Sequence, residues 1–203
     1  MQRLLLINLV FMFAPAAYGQ AVGARKNLVT PEEYAVYTVV LSQRKVISSD
    51  GNRARLWVIN KQTLTLGEVD GDIKHLGLIE AGLLPARFKP LLDNLRAQNP
   101  TEYRLARRFP TARRYALISP ERYRAFFDSN QRLSGWDAYY QRFPHGTGFT
   151  TLSRVGFDAN KSNAIVCLSY SCHWICGYDQ VWLLSKVRGR WVPIKAIGGD
   201  GKN

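Results

Sequence analysis

The chain has 203 residues, 46% apolar and 21% charged, which excludes disorder over most of its length and supplies an ordinary core without metal or many disulfides. Lys and Arg number 28 against 15 Asp and Glu, a net charge of +13. That balance favours anionic partners (phosphates, acidic glycans, anionic lipid surfaces) without choosing among them.

Met1-Gln2-Arg3 is a short basic start, and Leu4 to Ala14 follows without a charge. Pro15 and Ala16-Ala17-Tyr18-Gly19 then place small residues before a cleavage point. This order predicts a removable signal peptide over residues 1–19, cut after Gly19, with a cut after Ala21 as the second choice. The apolar run is shorter than the roughly 20 residues of a spanning helix, and no later stretch reaches that length. The mature chain is therefore expected to carry no integral membrane segment and to be periplasmic or secreted. Residues 20–203 contain no linker-like stretch and are expected to form one α+β domain.

Thr30-Pro31-Glu32-Glu33 reads as a helix start, with Thr30 as cap, Pro31 in the first turn and Glu33 completing a capping box. Tyr34, Tyr37, Val40 and Leu41 give that helix an apolar face through about Val46. Ser48 to Asn52 is a turn cluster, and Ala54 to Asn60 reads as a strand. Pro85, Pro90, Pro100 and Pro110 divide the middle third into short pieces, expected to be mainly helical, with Leu91, Leu92 and Leu95 marking one buried face. Arg113 to Ile118 is a candidate strand. Ser119-Pro120 opens another helix, and Gly135-Trp136 opens one that ends at Pro144.

The character changes at Phe149. Four strands are expected at about 149–157, 163–171, 180–187 and 190–197, turning at Asp158 to Ser162 and at Gly189. Ala164, Val166, Leu168 and Tyr170 fall on one face of the second strand, opposite Ile165, Cys167 and Ser169. Pro193 places the last strand at an edge. The expected fold class is α+β: an N-terminal helix and short helices over about 30–144, packed with an antiparallel four-strand meander over about 149–197.

Cys172 and Cys176 bracket the loop His173-Trp174-Ile175, a spacing that lets a turn bring the Cα atoms to about 4.4–6.8 Å, the range a disulfide needs. Pairing is the default in an oxidising compartment, though so short a loop gains only about 2 kcal/mol by chain entropy. Cys167 is left over mid-strand. A zinc site lacks a second pair of ligands, and no redox spacing is present, so no metal is expected. The closed loop could present Trp174 as a binding residue; the expected arrangement is that Trp174 and Ile175 fold back over the end of the sheet.

The charge excess concentrates in residues 85–142, where Lys89 is the only basic residue that is not arginine. Arg104, Arg107 and Arg108 would share one face of a helix, with Arg113 and Arg114 following, interleaved with Tyr103, Phe109 and Tyr115. Such forks suit phosphate or carboxylate, with rings beside them for stacking, on a glycan, a lipid or a nucleic acid. The competing reading is a solvated face whose arginine stems shield apolar neighbours.

Catalytic frames are absent. His75, His145 and His173 are the three histidines, none within a known catalytic spacing. Phe143 to Gly148 is glycine-rich without a Gly-Lys-Ser/Thr ending, and reads as the turn into the meander. Asp70 and Asp72 beside Gly71 are too few for a calcium loop.

From Trp136 onward the chain carries Phe143-Pro144, Gly148, Ser153-Arg154-Val155-Gly156-Phe157, Ala164, Cys172, Cys176-Gly177, Leu183-Leu184, Lys186, Gly189 and Trp191. In these it resembles a family of uncharacterised secreted bacterial proteins. The resemblance implies export and a shared fold, and lends no activity or cofactor. Within this run Val155 and Phe157 alternate around Gly156 in a strand, Gly156 permits close approach of a neighbour, and Arg154 is expected to pair with Asp158 or Asp179. Three functional readings follow, in order: a non-enzymatic module binding an anionic partner; a protein-interaction or structural envelope module; and an envelope-polymer hydrolase using His145 or His173.

Overall fold

A computed structural model describes residues 28–43, 56–66, 78–79, 81–128 and 135–198. The leader expected at 1–19, the turn cluster at 48–52, the Asp70–Asp72 stretch and His75 lie outside the described residues. The elements are α1 (Pro31–Gln43), β1 (Leu56–Asn60), α2 (Lys89–Gln98), β2 (Arg114–Ile118), α3 (Pro120–Ala125), α4 (Gly135–Arg142), β3 (Gly146–Leu152), β4 (Gly156–Phe157), β5 (Asn163–His173), β6 (Cys176–Val187) and β7 (Arg190–Ile197). Helices combine with a seven-stranded sheet, so the fold class is α+β.

The expected meander is the C-terminal part of a larger, mixed sheet ordered β2-β1-β3-β5-β6-β7, with β4 on β5. β1 pairs in parallel with both β2 and β3, while the remaining pairs are antiparallel. Parallel neighbours need long connections, and residues 61–113 and 119–145 provide them. Trp57-Val58-Ile59 is buried because β1 is covered on both faces, which explains its unbroken apolar run. β7 is an edge strand as Pro193 required, and Arg188 and Gly189, both at positive φ, turn the β6–β7 hairpin.

The two faces of β5 serve two cores. Ala164, Val166, Leu168 and Tyr170 pack with α1, Trp57, Leu105 and Phe109. Ile165 and Cys167 pack on the other side with Leu91, Leu92 and Leu95 of α2. On that same side Val58 and Phe149 meet Trp136, Tyr139 and Phe143 from α4.

The strand expected at 149–157 is interrupted. Residues 153–155 leave the ladder between β3 and β4, and Ser153 fills the gap: its Oγ accepts from Cys167 N at 2.9 Å and donates to Arg154 O at 2.7 Å. The interruption turns Arg154 away from Asp158 and Asp179 and toward α1. Asp158 instead caps its own turn, accepting from Ser162 and Asn163. Arg154 Nε donates to Glu33 Oε1 at 2.6 Å and Nη2 to Oε2 at 3.0 Å, both side chains being buried. Glu33 also closes the capping box, accepting from Thr30 N at 2.7 Å, and receives Val155 N at 3.3 Å. Gly156 then passes α2 so closely that a Cβ would lie 2.7 Å from Leu91 O and Leu95 N.

The pair carries a stability prediction. Glu33→Ala leaves a buried guanidinium without its counter-charge and should lower the unfolding free energy by about 3–5 kcal/mol in urea titrations. The apolar double variant Glu33→Met with Arg154→Met should recover much of that loss, because both desolvation costs vanish together.

Candidate functional site

β1, β2 and β3 start at one end of the sheet, since Leu56 stands opposite both Arg114 and Gly146. A cleft of about 820 Å³ opens there, lined by Leu56, Arg107, Arg113, Arg114, Tyr115, Ala116, Arg142, Phe143, Pro144 and His145. Arg114 opens the edge strand β2 and Arg113 immediately precedes it, so the cleft lies at the start of that edge. The Arg113 guanidinium lies 5.3 Å from the Trp57 ring centroid, and Arg142 lies 5.6 Å from that of Phe143. Such stacking holds each fork while leaving its N–H edge for a ligand.

The turn from α4 into β3 is fixed tightly. His145 adopts φ 59°, its carbonyl accepts from Leu56 N at 3.2 Å, and Gly146 N donates to Phe143 O at 2.9 Å. This geometry brings Arg142 and His145 into one lining with Arg113 and Arg114.

The Arg-rich segment is not a helix. Residues 101–113 form no helix, and 103–105 run alongside 61–63: Gln62 bridges Arg104, Leu105 N donates to Lys61 O at 2.7 Å, and Thr63 N donates to Tyr103 O at 2.9 Å. Pro100 and Pro110 bracket it, and backbone pairing with 61–63 outweighs the helical spacing of its arginines. Tyr34 Oη accepts from Ala106 N at 2.6 Å, fixing the segment to α1, while Leu105 and Phe109 enter the core.

The five arginines singled out by sequence therefore separate. Arg107, Arg113 and Arg114 share the cleft. Arg104 lines a second groove of about 780 Å³ with Lys61, Glu102, Tyr103 and Arg107, and Arg108 lines neither. Arg142, which sequence reasoning passed over, joins the cleft from the last turn of α4; nothing in its local sequence marks it. Among the described residues the lining of the first cleft contains no Asp or Glu, whereas Glu102 lines the second. That difference makes the first cleft the stronger anion site.

Cys172 and Cys176 form a disulfide with Cα atoms 5.2 Å apart, at the β5–β6 hairpin tip. Trp174 and Ile175 do not fold back over the sheet end; they remain 71% and 92% exposed. That end is already filled by Trp136, Tyr139 and Phe149, and Trp174 rests outside it, edge-on to Phe127 at 5.5 Å and over Gly135. His173 stacks on Trp136. His145 lines the arginine cleft, where the described lining holds no Asp or Glu. Among the described residues there is no group of three or more His, Cys, Asp or Glu placed to hold a metal. No described helix is long and apolar enough to cross a membrane.

Comparison with protein-family models, curated proteins and solved structures finds no match for this chain.

The cysteines behave differently in a way labelling can read. Cys167 is fully enclosed in its core, and burial pushes its thiol pKa up to about 12. Alkylation of the native, unreduced protein near neutral pH should modify none of the three cysteines. Unfolding without reductant should expose one thiol per chain, and reduction after unfolding should expose three.

Proposed function

We propose that this protein is exported and acts as a non-enzymatic module that holds an anionic partner in the cleft at the end of the sheet. One observation carries the reading: Arg107, Arg113, Arg114 and Arg142 line one cleft in which no carboxylate stands among the described residues. Four guanidinium groups lining one cleft repel one another, and a multivalent anion relieves that repulsion. Stacking on Trp57 and Phe143 lowers the entropy lost when two of the forks bind. Export is supported by the leader pattern of residues 1–19 and by the Cys172–Cys176 disulfide, a bond that persists in oxidising compartments. The resemblance to secreted bacterial proteins points the same way.

The chemistry the cleft offers is binding rather than bond cleavage. Its four arginines are permanently charged and hold anions without shuttling protons near neutral pH, and the one histidine beside them, His145, has no carboxylate with it in the described lining.

The test uses protein from the exported fraction, whose mass should begin at Gln20. Its retention by soluble polyphosphate should fall steeply between about 50 and about 200 mM salt. Replacing Arg107, Arg113, Arg114 and Arg142 together with Gln should weaken that binding by about tenfold or more, with an unchanged melting temperature. Replacing Arg104 and Arg108 should have little effect. Equal loss from both sets of substitutions would show that net charge, rather than the cleft, does the binding.

A further inference from the structure

The disulfide-closed tip lies at the same end of the sheet as the arginine cleft. Phe149 in β3 stands opposite Ser171 in β5, and His173 stands opposite Cys176, so the tip lies level with the start of β3 at Gly146. Strand spacing puts β2 about 15 Å from β5. Helix α4 joins the two features: its first turn packs Trp136 on His173, Tyr140 Oη donates to Cys172 O at 2.8 Å, and its last turn delivers Arg142 to the cleft.

The tip is braced. The Trp174 ring meets Phe127 edge-on, and it lies over Gly135, where an added Cβ would come within 2.9 Å of its Cζ2. Gly135 stands at φ +70°, so the absence of a side chain there serves both the backbone turn and the indole. A disulfide closes the base of the loop. All this fixes the position of an apolar pair that stays in water, Trp174 at 71% and Ile175 at 92% exposure.

We propose that this end of the molecule docks on an anionic lipid bilayer, with Trp174 and Ile175 entering the interface and the arginine cleft gathering lipid headgroups beside them. The inference rests on the anionic-partner reading of the cleft and names the partner. Arginines alone would suit any polyanion, but a dissolved polymer has no use for an aliphatic side chain at the extremity of a rigid hairpin. A bilayer meets both demands in one plane: charge at the headgroups, and just beneath them an apolar layer where tryptophan concentrates. Asp137, exposed on the first turn of α4, is the acidic side chain of that helix, and the arginines of the cleft outnumber it.

The experiment is co-sedimentation of the purified chain with vesicles of phosphatidylcholine alone, and of phosphatidylcholine containing about one-third phosphatidylglycerol. Binding is expected only to the anionic vesicles. Lipids brominated in the upper acyl chain should quench part of the tryptophan emission, and Trp174→Phe should remove that quenched part. Ile175→Ser is the decisive variant, because a side chain this exposed carries no folding burden. It should weaken vesicle binding by about tenfold while leaving retention by soluble polyphosphate unchanged. Vesicle binding unaffected by Ile175→Ser and Trp174→Ser, or polyphosphate retention without any vesicle binding, overturns the membrane inference and leaves the anion cleft standing. Failure of the wild-type chain to bind either probe overturns both.

Discussion

A carboxylate and a guanidinium that both leave water must satisfy nearly every polar atom they carry, and the Glu33–Arg154 pair organises this fold around that demand. Glu33 receives donors from its own helix start, from both Arg154 nitrogens nearest it and from Val155 N. Arg154 N donates to Asn99 Oδ1 at 2.7 Å, and Asn99 Nδ2 donates back to Arg154 O at 3.2 Å and to Leu95 O at 2.7 Å. One residue thus ties the start of α1, the break between β3 and β4 and the end of α2. Tyr37 adds a fourth tie, its hydroxyl donating to Ser153 O at 2.8 Å.

The same pair reaches the arginine-lined end of the sheet. The Arg154 guanidinium lies 4.5 Å from the Tyr103 ring centroid, and Tyr103 begins the extended segment that delivers Arg107 to the cleft. Tyr34, one residue after Glu33, holds that segment again through Ala106 N. Beneath it β1 runs as a fully covered central strand, so the starts of β2 and β3 are held on either side of Leu56. The arginines meet because a buried network has fixed the backbone of three separate stretches; their mutual repulsion is offset elsewhere.

Local signals were the legible ones. The Thr30–Glu33 capping box, the leucine face of α2, the alternation along β5 and the Cys172–Cys176 spacing each state their structure within a few residues. What depended on distant partners was hidden. Glu33 spends its carboxylate on Arg154, 121 residues away, and no local pattern distinguishes that from the nearer Asp158. The parallel pairing of β1 follows from crossovers whose course the sequence does not print. Arg104, Arg107 and Arg108 have helical spacing, yet backbone pairing of 103–105 with 61–63 and a turn from Ala106 to Arg108 take the place of a helix. Arg113 and Arg114 were identified as site residues from their clustering, while Arg142 enters the cleft only through the sharp turn at His145.

Hydrogen–deuterium exchange with and without soluble polyphosphate tests the central claim most directly, because it reports where an anion is held without altering any residue. Slower exchange confined to residues 113–116 and 142–148 is the predicted result, with the 102–106 stretch unchanged. Protection centred on 102–106, or spread evenly over the basic surface, would contradict the account and place the anion outside the cleft.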